Sequence, residues 1–186
     1  GAIAVSIMPM MILLSVGALI GSWIISGTVP GMIYYGVQLL HPGFFYAASA
    51  IICALASLSL GSSWTVAGTL GIGLMGIATT YSLSPAITAG AVISGAYFGD
   101  KLSPLSDTTN LAAAAVGVDL FEHIKNMLWT TLPAFFAALL IFSFIGSEDA
   151  ATPDNIAEIR SALASQFAIS PWVLSPLVLM LGLIYF

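Results

Sequence analysis

Long apolar runs alternate with short polar breaks along this chain. About 20 apolar residues in a helix cover the ~30 Å hydrocarbon core of a bilayer. We therefore predict six membrane spans, at about residues 3–26, 44–60, 65–80, 86–99, 127–146 and 171–186. Three polar breaks, at residues 27–31, 61–65 and 100–110, separate some of these spans, and residues 147–160 form a predicted polar loop.

Each polar break places Gly or Pro beside hydroxyl side chains. These residues interrupt helices, since Pro lacks a backbone donor and Gly is flexible. Irregular backbone at membrane depth is tolerated only where it is buried in protein or lines a wet cavity. Secondary transporters use such broken helices to bind substrate and coupling ions. The pattern predicts an all-α, polytopic transmembrane helical bundle with discontinuous helices, which forms one transport domain over residues 1–186.

Composition excludes a water-soluble globule. Charged residues make up 6% of the 186 residues, against roughly 25% in soluble domains, while 59% are hydrophobic and the mean hydropathy is +1.07. A net charge of −5 with three basic residues argues against nucleic-acid partners. The sequence has no HExxH or GxSxG motif, so we expect a protein that is not an enzyme, with no cofactor and no structural metal. The expected partner is the lipid bilayer, and a homo-oligomer is compatible with the sequence.

Both ends of the chain suggest a segment of a longer protein. Gly1 opens directly into a hydrophobic run without a basic leader, and the chain stops inside the apolar run that begins at Pro171. We therefore expect the transport domain to be truncated at both ends.

The first formal charges of the chain are Asp100 and Lys101, in the third break. Further polar side chains lie within the same eleven residues: Ser103, Ser106, Asp107, Thr108, Thr109 and Asn110. Desolvation raises the pKa of a carboxylate and a neighbouring cation lowers it, so such a group holds either a proton or a metal cation. Neutral oxygens suit a hard cation such as Na⁺. A salt bridge and a capped turn at the membrane edge are the alternative, but ionisable groups inside the membrane are functional by default.

The segment SGAYFGDKLSPLSDTTNL, residues 94–111, resembles the signature of the NhaC-type Na⁺/H⁺ antiporter family, within the ion-transporter superfamily. Three further stretches agree with that family in the same order: GSWIISGTVPGMIYYG at 21–36, GSSWTVAGTLG at 61–71 and LFEHIKNMLWTTLP at 120–133. The resemblance extends from about residue 20 to residue 145. It implies a multi-pass transporter of the inner (cytoplasmic) membrane that exchanges external H⁺ for internal Na⁺ and serves pH homeostasis.

The resemblance also supports site residues at matching positions. Asp100 and Asp107 are the expected cation and proton carriers and bind Na⁺ transiently, while Lys101 tunes them electrostatically. The expected oxygen ligands come from the same break: Ser103, Ser106, Thr108, Thr109 and Asn110. Side chains of the other two breaks are expected to line the cavity: Ser26, Thr28, Ser62, Ser63, Trp64 and Thr65.

Two other transport functions remain open. A carboxylate antiporter of the malate/lactate kind, coupled to Na⁺ and H⁺, needs a fixed cation in its cavity. Lys101 is the expected candidate, because Lys125 lies in an interfacial stretch and Arg160 in the predicted polar loop. A passive cation channel would conduct without an obligatory proton counterflow.

Overall fold

The computed structural model describes residues 2–145 and 153–182 of the chain. Within these ranges the regular structure is helical, without strands, so the predicted all-α class with discontinuous helices is confirmed. The α-helices in chain order are α1 (Ala2–Ile25), α2 (Thr28–Leu39), α3 (Phe45–Leu60), α4 (Ser63–Gly68), α5 (Leu70–Thr80), α6 (Pro85–Leu102), α7 (Asp107–Val116), α8 (Leu120–Phe144), α9 (Pro153–Gln166) and α10 (Ser175–Gly182). Short 3-10 turns, Pro42–Phe44 and Pro171–Leu174, precede α3 and α10.

Several described helices are long and apolar enough to cross a bilayer. Two helical stretches meet this condition alone, Pro42–Leu60 and Leu120–Phe144. Two bent pairs meet it together: Gly17–Ile25 with Thr28–Leu39 at 72°, and Arg160–Gln166 with Pro171–Leu179 at 89°. The described residues thus supply two spans, or up to four if each bent pair is one span. The chain is a membrane protein.

Helices α3 and α6 pack closely and run in the same direction. Gly95 faces the backbone of Ala50, and one turn later Gly99 faces the backbone of Ala54 and Leu58. A Cβ atom at either glycine would clash with α3, so only glycine permits this approach. The two helices therefore end at the same level of the bundle, each in a polar break.

A second parallel pair, α2 and α5, packs beside the first. Gly73 contacts Met32, and Gly36 contacts Ile77. At the carboxyl ends of these helices, the buried Tyr81 hydroxyl shares its one proton between the Val37 and Leu40 carbonyl oxygens, which lie at 2.6 and 2.7 Å. These bonds occupy carbonyls that the end of α2 would otherwise leave without partners.

All three predicted breaks are shorter in the structure, and the one predicted at 61–65 reduces to residues 61–62, between α3 and α4. The break predicted at 27–31 reduces to the residues before α2, where Gly27 adopts a left-handed φ of +84°. Pro30 lies in the first turn of α2, where its missing N–H removes no helical bond. The break predicted at 100–110 reduces to residues 103–106, because α6 continues to Leu102 and α7 begins at Asp107.

Two other segments also differ from the expectation. The span predicted at 65–80 is divided at Thr69, which has φ −114° and ψ −77° and separates α4 from α5. Residues 153–160, predicted as part of a polar loop, belong to helix α9. Parts of three predicted segments, residues 146, 147–152 and 183–186, lie outside the described residues.

Candidate functional site

The second and third breaks touch each other through their backbones. Gly61 has a left-handed φ of +67°, and a Cβ atom there would lie 2.6 Å from the carbonyl carbon of Leu105. A side chain at position 61 is therefore excluded by both conformation and space. The contact follows from the parallel packing of α3 and α6, which brings the ends of both helices together.

Asp100 lies in the last turn of α6, beside this contact, and is only 8% exposed. Its Oδ2 atom accepts a hydrogen bond of 2.8 Å from the hydroxyl of Ser63, the first residue of α4. Asp100 makes no ion pair within residues 2–145 and 153–182. The carboxyl end of a helix carries partial negative charge, which disfavours a neighbouring anion. A bound cation would relieve this charge.

The connection between α6 and α7 is held by its own polar side chains. The Thr109 hydroxyl lies 3.2 Å from the Asp100 carbonyl oxygen and 3.1 Å from that of Lys101. The Asn110 amide nitrogen donates to the carbonyls of Pro104 and Ser106, at 2.8 Å each. These bonds fix the end of α6 against the start of α7, which gives Thr109 and Asn110 a structural role in addition to the predicted one.

Two buried serines complete this connection. Ser103 is fully buried, and its hydroxyl accepts a bond from the Leu105 amide at 3.2 Å. Ser106 is also fully buried and caps α7, where its Oγ atom accepts from the Thr109 amide at 3.4 Å. Ser106 also shares a 2.9 Å bond with the Thr108 hydroxyl. Both serines therefore shape the break between α6 and α7.

The two predicted carrier aspartates occupy different environments. Asp107 is exposed and begins α7, where the amino end of the helix stabilises its negative charge. Lys101 is exposed as well and faces a cleft between α6 and α8. Of the three charged groups in this break, only Asp100 is buried.

The residues predicted to line the cavity lie in and beside α4 and in the bend between α1 and α2. Ser62 caps α4, and its Oγ atom accepts from the Thr65 amide and hydroxyl at 3.3 and 3.0 Å. Trp64 is 62% exposed on the outer side of α4. Ser26 and Thr28 share a 3.0 Å bond in the α1–α2 bend. Among the cavity-lining predictions, Ser63 therefore makes the hydrogen bond to Asp100.

Three positioning residues were missing from the sequence prediction. Gly95 and Gly99 allow α6 to approach α3, and the buried Ser57 hydroxyl bonds to the Ala96 carbonyl at 2.6 Å. The signal was present, because small residues four positions apart are typical of close helix contacts in membranes. The spacing of these small residues does not tell which helix packs against them, so α3 could not be identified as the partner of α6.

A sodium site here would depend on few charges. The described residues contain no group of three or more His, Cys, Asp or Glu side chains that could hold a metal ion. One carboxylate with hydroxyl and carbonyl oxygens remains, a donor set that suits a hard, singly charged cation better than a transition metal.

Several proteins with similar sequences are named as antiporters. Residues 95–186 match the model of the Na⁺/H⁺ antiporter family. The Na⁺/H⁺ antiporter NhaC of Alkalihalophilus pseudofirmus is 46% identical over 179 residues, which cover 95% of this chain and 39% of that protein. The malate-2H⁺/Na⁺-lactate antiporter of Bacillus subtilis is 42% identical over 177 residues, which cover 94% of this chain and 38% of that protein. The arginine/ornithine antiporter ArcD of Halobacterium salinarum is 38% identical over 177 residues, which cover 92% of this chain and 36% of that protein.

These matches agree with the resemblance seen in the sequence motifs. No solved structure matches the chain. The chain spans about two fifths of the length of the curated relatives that it matches. Nearly the whole chain is aligned, at identities of 38 to 46%. The chain belongs to the Na⁺/H⁺ antiporter family.

Proposed function

We propose that this protein is a secondary transporter that exchanges Na⁺ for H⁺ across the cytoplasmic membrane, with Asp100 as the carrier of both ions. The observation that supports the proposal best is the buried 2.8 Å bond from Ser63 to Asp100, at the contact between two helix breaks. Broken helices that meet in this way are the usual ion sites of secondary transporters.

The exchange follows from competition for one carboxylate. In its charged form, Asp100 attracts Na⁺, and the Ser63 hydroxyl rotates to offer its oxygen to the ion instead of donating to Oδ2. In its protonated form, Asp100 has no charge to hold Na⁺, so proton binding expels the cation. Because Asp100 is the buried carboxylate of this break, the two ions exclude each other.

Asp107 has a different part in this proposal. Its carboxylate is exposed at the amino end of α7, where the helix dipole favours negative charge. We assign it to attracting cations toward Asp100 from the aqueous side, and Lys101 to limiting the negative potential between the two aspartates. Asp107→Asn is then expected to slow exchange less than Asp100→Asn.

Everted membrane vesicles test the proposal, with the complete open reading frame that encodes this chain. The measurement is the Na⁺-dependent pH change, and Asp100→Asn should abolish it. The matched control is Asp119→Asn, which removes the same charge from an exposed helix cap. Asn caps helices as well as Asp does, so exchange should persist. Full exchange in the Asp100→Asn variant would contradict the assignment of Asp100 as the ion carrier. Na⁺ flux without proton counterflow would indicate a channel.

A further inference from the structure

The motif Ser-Trp-x-x-x-Gly-Thr occurs twice in the chain, at residues 22–28 and 63–69. A short helix, a turn and a long helix follow each copy, α2 and α3 after the first, and α5 and α6 after the second. The copies lie 41 residues apart, which is within the range of tandem structural repeats. Residues 22–60 and 63–102 are therefore two copies of one helical unit. The exchange proposed above uses the ends of the long helices and assigns nothing to the short ones.

Both copies of the motif end one helix and begin the next. In the first copy, Gly27 has a left-handed φ of +84°, and α1 and α2 are bent by 72°. In the second copy, the Thr69 amide bonds to the Val66 carbonyl, three residues back, so the α-helical pattern is interrupted between α4 and α5. We name these two places the Gly-Thr joints. Hinges of moving segments lie at such helix ends, where a few residues absorb the change in φ and ψ.

Helices α2 and α5 pack against each other through equivalent positions of the two units. Met32 contacts Gly73, and Gly36 contacts Ile77, so the partners in each contact are separated by the 41 residues of the repeat. At the other end of both helices, the Tyr81 hydroxyl holds the end of α2. Helix α2 packs chiefly on α5 rather than on α3 or α6. The two short helices therefore form one packed body, the α2–α5 pair.

The α2–α5 pair has room to move against the long helices. A cleft of about 190 Å³ lies between the pair and Ile52 of α3. Closely packed interiors resist displacement, so this space favours a small rotation of the pair. The turns at residues 40–44 and 81–84 connect the pair to α3 and α6, and they lie outside the α-helices apart from the first turn residues of the 3-10 segment. Each end of the pair is thus attached through backbone that can bend.

One row of side chains on α6 leads from the α2–α5 pair to Asp100. Gly71, two residues beyond the second joint, packs on Val92, which is only 4% exposed. Val92, Ala96 and Asp100 follow one another at intervals of four residues, so they form one row along α6. A displacement of α5 at Gly71 therefore uncovers the start of this row and opens a route toward Asp100.

We infer that the α2–α5 pair turns as one body about the two Gly-Thr joints and thereby opens and closes access to Asp100. The movement serves the proposed Na⁺/H⁺ exchange and rests on it. Rigid rotation of one group of helices against another, around a fixed ion site, exposes such a site to each side of the membrane in turn. In this chain, α3, α6 and the start of α4 hold the site, and α2 moves with α5.

Two engineered disulfides test which contacts stay fixed during exchange. The complete open reading frame is used with all cysteines replaced, including Cys53. Met32→Cys with Gly73→Cys joins α2 to α5, and Gly71→Cys with Val92→Cys joins α5 to α6. The Cβ atoms would lie 3.4 and 4.0 Å apart, close to the ~3.5–4.5 Å of disulfides.

The Na⁺-dependent pH change in everted vesicles is measured before oxidation, after oxidation and after reduction. The α2–α5 disulfide should leave exchange unchanged, because the bonded positions move together. The α5–α6 disulfide should stop exchange, and reduction should restore it. The reduced form of each variant is its own control for folding.

A single substitution decides if the cysteines at positions 71 and 92 already lower exchange in the reduced state. Val92→Cys, in a protein that retains Cys53, is purified and treated with a water-soluble maleimide with and without Na⁺. The new thiol is covered by α5, so its rate of labelling should change with Na⁺ as the pair moves. Cys53, which is fully buried on α3, should stay unlabelled in both conditions.

Three outcomes would overturn the inference: exchange that continues after the α5–α6 disulfide has formed, exchange that the α2–α5 disulfide stops equally, or labelling at position 92 that Na⁺ does not change. Each leaves the role of Asp100 standing, since Asp100→Asn tests that role separately. A wild type without a Na⁺-dependent pH change would instead contradict the proposed exchange, and with it the movement that serves it.

Discussion

Adding one methyl group at Gly99 tests the α3–α6 contact that positions Asp100. A Cβ atom at this position would lie 2.5 Å from the Leu58 backbone nitrogen and 2.8 Å from the Ser57 Cβ atom. Carbon atoms pack at about 3.5–4.0 Å, so α6 would have to move away from α3 by about 1 Å. That movement would stretch the 2.6 Å bond from Ser57 to the Ala96 carbonyl beyond hydrogen-bonding distance.

Gly90 provides the matched control in the same helix. A Cβ atom at Gly90 would have no neighbour within 4 Å. Gly→Ala in a helix interior stabilises by about 0.5–1 kcal/mol at either position. Overpacking costs about 1–3 kcal/mol and applies only at Gly99. The helix contribution cancels in the comparison, so Gly99→Ala should be less stable than Gly90→Ala by about 1–3 kcal/mol.

The assay is unfolding by SDS in mixed micelles, with the complete open reading frame. Na⁺/H⁺ exchange in vesicles gives a second measurement, because a shift of α6 also displaces Asp100 from Ser63. We expect Gly99→Ala to lower both stability and exchange, and Gly90→Ala to lower neither. Equal unfolding midpoints for the two variants would show that α6 does not approach α3 at Gly99, and the reasoning would fail.

Two further variants address the site itself. Ser63→Ala removes the hydroxyl oxygen that the proposal offers to Na⁺ in place of the bond to Asp100. The apparent KM for Na⁺ in vesicles should therefore rise about tenfold, which corresponds to ~1.4 kcal/mol. Ser59→Ala, whose hydroxyl bonds to the Leu55 carbonyl, should leave the KM unchanged, and an unchanged KM in both variants would contradict the role of Ser63. Thr109→Val removes the hydroxyl proton that two carbonyls at the end of α6 share. Because buried acceptors then lose their donor, the free energy of unfolding in mixed micelles should fall by about 1–3 kcal/mol, whereas Thr109→Ser should retain most of the stability. Equal stability of these two variants would mean that the hydroxyl does not hold α6 and α7 together.

The sequence located the helix breaks well but not their extent. Gly27, Gly61 and the segment around Pro104 were predicted as interruptions, and each lies between helices in the structure. The predicted breaks were too long, because Pro30 is tolerated in a first helical turn and polar residues such as Asp107 begin helices as readily as they interrupt them. The bend at Thr69 has Gly68 and Gly71 beside it but no Pro, and because glycine is common in membrane helices, the sequence predicted one continuous span there.

The site was predictable as a list of residues but not as an arrangement. Asp100 and Asp107 had the same chemistry in the sequence, and only the packing of α6 against α3 and α4 makes one buried and the other exposed. Ser63 could not be separated from Ser62 for the same reason. Ser62, with extended backbone, caps the helix, and Ser63, the first helical residue, bonds to the aspartate, so the difference depends on where α4 begins.

The backbone contact between Gly61 and Leu105 has a consequence for how the protein moves. Because the two breaks press directly against each other, a displacement of the α6–α7 connection toward Gly61 would push the start of α4 with it. Ser63 and Asp100 would then travel as one rigid unit. Bending must occur at other joints, such as Thr69 or Gly117, whose φ is +70° and whose Cβ position is open. In the proposed exchange, we therefore expect the ion site to stay assembled while the joints around it flex.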